Sequence, residues 1–259
     1  MRLTTILIFL LSVPLFSQDK VSVTLQNKLI FKADQLIEID NFNTTYHVLN
    51  NTLFKTNSKE SINYSNVQMG GITSANAFNP LKIPVFYQNF NTVIILDNRL
   101  AEITRIDFNA RNPFRVVTHI SSGNDNTFWL FNQNTQQIEL FDYLANKSRV
   151  RSLPIKGEVF DLDSNYNFCW LLTEEFIYVY NYIGSLIDKF PNDGFTSLDQ
   201  NNGNLFFLKE NQLYVRLKNA TNIVQVSLPE LLIKQFLVTD ESLYIYDGEY
   251  LHQYLIKTN

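Results

Sequence analysis

Three aspartates, Asp163, Asp199 and Asp240, stand at matching places along the chain, each at the head of a polar triplet. Brought together, such carboxylates bind a cation or a sugar, and two at a set separation can hydrolyse a glycosidic bond. Each triplet also reads as an Asx-turn: Asp163-Ser164-Asn165, Asp199-Gln200-Asn201 and Asp240-Glu241-Ser242. Turn chemistry is the simpler reading, because Asp bonds its own backbone two residues on. His119 lies on an alternating apolar run and can face the same place. A hydrogen-bonded structural role is simpler for it, and for His47 and His252, because no partner for a charge switch is evident.

A second group is basic. Six of the eight arginines fall between positions 99 and 151: Arg99, Arg105, Arg111, Arg115, Arg149 and Arg151. Arg makes planar bidentate contacts and is enriched at interfaces. Arg105, Arg111, Phe114, Arg115, Arg149 and Arg151, with Met69 and Phe78 from an unusual Gly-Gly-containing stretch, form a candidate partner interface. The alternative is a set of charged edges that keep sheets from pairing. The single cysteine, Cys169, in Phe168-Cys169-Trp170-Leu171, reads as a core filler rather than a reactive thiol. No His/Cys cluster has metal-ligand spacing, and no phosphate loop or nucleophile elbow occurs. The sequence therefore assigns no catalytic residue, cofactor or metal.

These residues must be held by strands. Apolar residues alternate by two, which nearly excludes helix. Six hairpin-like pairs recur, near 28–40, 82–97, 126–142, 167–181, 204–217 and 242–255. Taking the last residue of each second run as a ruler, the steps are 97−40=57, 142−97=45, 181−142=39, 217−181=36 and 255−217=38. Flanking runs supply an inner and an outer strand for most pairs. The long first step implies a polar insertion over 52–81. The last pair lacks an outer strand, and residues 21–25 lack a pair of their own. They are expected to close the ring on the C-terminal blade. Two stacked β-sandwiches are the competing arrangement.

Composition agrees. The chain has 259 residues with 21 Phe and 13 Tyr, and it is short of Gly and Pro, so Asn takes much of the turn work. The net charge of −4 gives no footprint for nucleic acid or for a polybasic membrane contact. Residues 1–17 read as a secretory signal peptide: Arg2, a short apolar stretch, and an exit near Ser17. No cysteine at the junction offers a lipid anchor, and no later segment approaches the roughly 20 apolar residues of a membrane span.

A repeat near 40 residues built of strands resembles the β-propeller superfamily across residues 18–259. The Trp-Asp signature of WD40 repeats and the Asp-boxes of sialidase-like propellers are absent. Asn181-Tyr182-Ile183-Gly184-Ser185-Leu186-Ile187 is similar to the strand–turn–Gly–strand phrase of NHL-type blades. Leader and repeat together resemble exported proteins of Gram-negative bacteria. The expectation is an all-β propeller of about six four-stranded blades, one domain, in the periplasm or at the cell surface. A rigid scaffold without a catalytic constellation points to a non-enzymatic propeller that binds a protein partner in the cell envelope, as an accessory of an envelope or secretion complex. The alternative is a carbohydrate-binding or carbohydrate-active propeller, using Asp163, Asp199, Asp240, His119 and aromatics such as Trp129 or Trp170.

Overall fold

The computed structural model describes residues 21–257, and every structural statement here concerns those residues. The signal-peptide reading of 1–17 lies outside them. Strands and turns make up the chain, with single 3-10 turns at Val67–Met69 and Gln88–Phe90. No described helix is long and apolar enough to cross a membrane.

The first sheet holds β2 (Gln35–Ile39), β3 (Thr45–Leu49), β4 (Thr52–Thr56) and β5 (Ser61–Tyr64) in chain order. The second holds β6 (Ser74–Ala75), β7 (Ile83–Tyr87), β8 (Thr92–Leu96) and β9 (Glu102–Asp107). The third holds β10 (Val117–Ser122), β11 (Thr127–Asn132), β12 (Gln137–Asp142) and β13 (Lys147–Arg151). The fourth holds β14 (Val159–Ser164), β15 (Phe168–Thr173), β16 (Phe176–Asn181) and β17 (Leu186–Pro191). The fifth contains eight strands: β18 (Ser197–Asn201), β19 (Asn204–Lys209), β20 (Gln212–Arg216), β21 (Val224–Ser227), β1 (Val21–Ile30), β24 (Tyr250–Lys257), β23 (Ser242–Tyr246) and β22 (Gln235–Val238), neighbours in that order.

The expected count of about six separate blades is therefore corrected: four four-stranded blades stand apart and eight strands form one sheet. The strand that joins them is β1. Val21 and Ser22 pair in parallel with Val226 and Ser227 of β21, while Ser22–Ile30 runs antiparallel along β24.

Two further expectations change with it. The runs 28–31 and 36–40 are not a hairpin, because β1 pairs with β24 whereas β2 pairs with β3. Nor is 52–81 an insertion, since β4 and β5 of the first sheet and β6 of the second lie within it. Measured on the third strand of each group, the steps are 92−52=40, 137−92=45, 176−137=39, 212−176=36 and 250−212=38. The irregular first step came from a ruler set two strands early, on β2 instead of β4.

Burial explains the sequence pattern. Every residue of β7 and of β8 is buried, because a sheet stacked between two others is covered on both faces. Apolar clusters fill the gaps. One joins Tyr46, Val48 and Leu53 to Val85, Tyr87 and Ile94; another joins Phe86, Val93 and Ile95 to Phe128, Leu130 and Phe141. Deleting one such aromatic to Ala removes about 3–5 kcal/mol. Eight of the twelve non-glycine residues with positive φ are Asn, so Asn does the turn work of the missing Gly.

The innermost strands β6, β10, β14, β18 and β22 neighbour one another in succession, and β22 also meets β2. Gln235 Oε1 accepts a hydrogen bond from the Leu36 N–H at 2.8 Å across that last contact. The inner strands thus surround a channel.

Candidate functional site at the channel mouth

Innermost strands leave an edge of backbone groups without a ladder partner, and these groups need acceptors. Channel side chains supply them. Asp161 Oδ2 accepts from the Leu198 N–H at 2.9 Å and from Ser197 Oγ at 3.0 Å. Asp199 Oδ2 accepts from the Val238 N–H at 2.6 Å. On the third and fourth sheets Ser164 Oγ donates to Ser121 Oγ at 2.8 Å and also bonds the Ser122 carbonyl. These bonds stitch each inner strand to the next.

The lumen is about 560 Å³ and is lined by Glu38, His119, Asp161, Asp163 and Asp199, with Lys234 and Gln88 towards the opposite end. At one end it opens into a recess of about 410 Å³. Glu38, Asp163 and Asp199 line both spaces, so they sit where channel and recess meet. The three acids repel one another in a closed triangle. The strongest charged neighbour of Glu38 is Asp163, that of Asp163 is Asp199, and that of Asp199 is Glu38. Burial first, and then this repulsion, pushes Glu38 up to about 8 and holds Asp163 and Asp199 well above the usual carboxylate range. Asp161 is raised by burial against bonds from Leu198 and Ser197. Glu38, raised to about 8, holds its proton at neutral pH and can donate as well as accept a hydrogen bond.

The expected Asx-turns at Asp163 and Asp199 are corrected: both residues lie on inner strands, β14 and β18. Asp240 lies in an exposed turn and accepts from Asn41 Nδ2 at 2.8 Å and Asn202 Nδ2 at 2.7 Å. His119 lines the channel on β10, with Nδ1 3.0 Å from Thr118 Oγ1. Burial lowers its pKa despite the neighbouring Asp161, which keeps the ring neutral.

The rim of the recess is aromatic and amide-rich. A four-strand meander sends its first and third turns to the same end, so turns 40–44, 76–82, 165–167, 202–203 and 239–241 share the mouth. Phe42 is 88% exposed and Tyr166 47%. Phe78 packs edge-on against Tyr166, ring centroids 4.9 Å apart. Asn41, Asn165, Asn167, Asn201 and Asn202 complete the wall.

The expected interface disperses. Arg115 is 2% exposed, with Nε 2.9 Å from Glu139 Oε2, Nη1 3.0 Å from the Pro113 carbonyl and Nη2 3.1 Å from Ser148 Oγ. Its guanidinium lies 5.2 Å from the Phe141 ring centroid. Met69 is buried in the core between the first two sheets. Neither is free for a partner, and both assignments are corrected. Arg151 joins Glu139 at 3.3 Å, Arg149 pairs with Asp142 at 2.7 Å, and Arg105 pairs with Glu102 at 3.3 Å. Arg111 is half-buried. Phe114 is exposed, but its loop lies at the opposite end from Phe78. Trp129 and Trp170 are buried and cannot stack on a sugar. Cys169 is buried on β15, its thiol pushed up by burial and by Asp163.

Sequence reasoning missed Glu38, Asp161, Phe42 and Tyr166. For Glu38 a signal existed: an acid between Ile37 and Ile39 in a strand otherwise apolar.

No family model matches the chain, and no curated protein matches it. Solved structures do. A virginiamycin B lyase from Staphylococcus aureus is similar at TM-score 0.63 and 12% identity, over 93% of this chain and 97% of that one. The β-propeller domain of Myceliophteria thermophila Cps50 (Swd1) is similar at TM-score 0.65 and 9% identity, over 91% and 100%. A chain of the mitotic checkpoint complex is similar at TM-score 0.61 and 13% identity, over 97% and 98%. These neighbours include an enzyme and a chain of a complex, so what they share with this chain is architecture, and the chain is a divergent β-propeller.

Proposed function

We propose that the chain is a non-catalytic binding propeller that takes a protein partner at the channel mouth, as an exported protein of the periplasm or cell surface. In this reading the eight-stranded sheet works as two blades, β18–β21 and β22–β24 with β1, which makes six. Its support is that separate apolar clusters fill the gap between those halves and the gap back to the first sheet.

One observation carries the functional reading: Tyr166 stands exposed on the wall of a recess floored by Glu38, Asp163 and Asp199, and Phe42 is exposed next to Asn41 of that wall. Exposed aromatics around a concave site are what binding surfaces use, and acids whose strongest charged neighbours are acids are stabilised in their ionised form by a partner's basic side chain. Arg105, Arg115 and Arg149 of the flank pair with carboxylates of their own sheets, which argues against the rival surface.

The test is capture of a partner from envelope extract by wild type, by the double variant Phe42→Ser/Tyr166→Ser, and by Phe114→Ser at the other end. The expected result is loss of a stoichiometric partner with the double variant alone. Equal capture by all three, or binding of glycans and no protein, overturns the reading. Export is checked separately: the mature chain should begin near residue 18 and fractionate with the envelope.

A further inference from the structure

The outermost strands differ in how they guard their free edges. β9, β13 and β17 carry charges: Glu102, Arg105 and Asp107; Lys147, Arg149 and Arg151; Asp188 and Lys189. β5 and β21 have four residues each. Charge and shortness are the usual defences against edge-to-edge pairing. β1 has neither. It runs ten residues, and after Ser22 it has β24 on one side and no strand on the other among the described residues.

Every residue from Thr24 to Ile30 is exposed, including Leu25 at 51% and Ile30 at 69%. The single charge is Lys28, whose Nζ is drawn to 4.0 Å from the Tyr250 ring centroid. Its one protective feature is a bulge at Gln26, where the register with β24 shifts.

We propose that this edge pairs with the β1 edge of a second copy of the chain, antiparallel about a two-fold axis. Two observations favour a second copy. An isologous contact needs a surface complementary to itself, and a second β1 is an edge of the same length with the same free side. An axis between Gln26 and Asn27 sets Lys28 of one copy across from Leu25 of the other, so the two lysines do not face each other and no acid is left opposite an acid. The contact lies on the outer wall of the ring and leaves the channel mouth open, so it stands or falls apart from partner binding.

Sedimentation velocity on the full mature chain over a concentration series tests this. The expected result is a monomer–dimer equilibrium, weakened at least about tenfold by Leu25→Lys, which sets like charges opposite each other across the pair, and by Thr24→Lys, which adds an edge lysine of the kind that blocks strand pairing. Leu153→Lys, at an exposed site in another loop, should leave it unchanged. A second readout needs no variant: backbone amides of 23–30 should gain hydrogen-exchange protection as concentration rises. A monomer at every concentration overturns the proposal, and so does a dimer that survives both edge variants. Concentration-independent protection of 23–30 also overturns it, because the edge would then be covered from within the chain.

Discussion

Two groups of buried charge in this propeller look alike in sequence and differ in chemistry. Glu139 is enclosed in the third sheet, where Arg115, Arg151, Ser148 and Asn132 all reach it. Burial raises its pKa, but the bonds from Ser148, Asn132 and Arg115 outweigh burial and hold it below the ordinary value. Glu38, Asp163 and Asp199 are also enclosed, but their strongest charged neighbours are one another, and they are raised. A carboxylate answered by cations is part of the scaffold. Carboxylates whose strongest charged neighbours are other carboxylates, at an opening, are open to a ligand. This contrast moves the candidate interface from the Arg-rich flank to the channel mouth.

The largest effect should come from breaking the satisfied group. Arg115→Met leaves Glu139 buried without its main cation and should cost about 3–5 kcal/mol in urea unfolding. A cost under about 1 kcal/mol would mean that Arg151 and Ser148 suffice, and the contrast would weaken.

The pH dependence of the two groups should run in opposite directions. Glu139, depressed in the fold, contributes stability that is present above its unfolded pKa near 4.5 and is lost as pH falls through the folded value. Glu38, raised to about 8, contributes stability that is full below about 4.5 and is lost as pH rises to about 8. Glu38→Gln should therefore flatten the alkaline limb of a stability–pH curve. At pH 9 it should exceed wild type by about 1–2 kcal/mol, less than the full linkage value because channel water screens the group. An unchanged alkaline limb would deny that Glu38 holds its proton.

The fold was legible because doubly covered strands read as near-continuous apolar runs, of which Ile83-Pro84-Val85-Phe86-Tyr87 is an example. What misled was the start of the chain. Residues 28–31 and 36–39 are both apolar and separated by a short polar gap, which reads as a hairpin. Period-two patterning marks a strand without naming its neighbour, and β1 finds its partner more than two hundred residues away. That two-strand offset hid Glu38 by placing it in the middle of a blade rather than at the channel. Asp163 and Asp199 were visible as a repeating pair, yet a turn and the end of an inner strand look the same in sequence. Arg115 misled because its partner, Glu139, is 24 residues on and inside a strand. A glutamate between Ile138 and Leu140 was the available signal.

The smallest effect belongs at the rim. Asp240 is exposed and bonded only to Asn41 and Asn202. Asp240→Asn should change the melting free energy by no more than about 0.5 kcal/mol. A larger loss would make the rim part of the scaffold and not of the binding face.

The central claim is that the mouth, and not the Arg-rich flank, is the binding face. Site-specific photocrosslinking in the living cell envelope tests it most directly, with the crosslinking side chain placed at Tyr166 in one variant and at Arg151 in another. The account predicts a discrete protein adduct from position 166 and none from position 151. An adduct from position 151 alone, or from neither position, would contradict it.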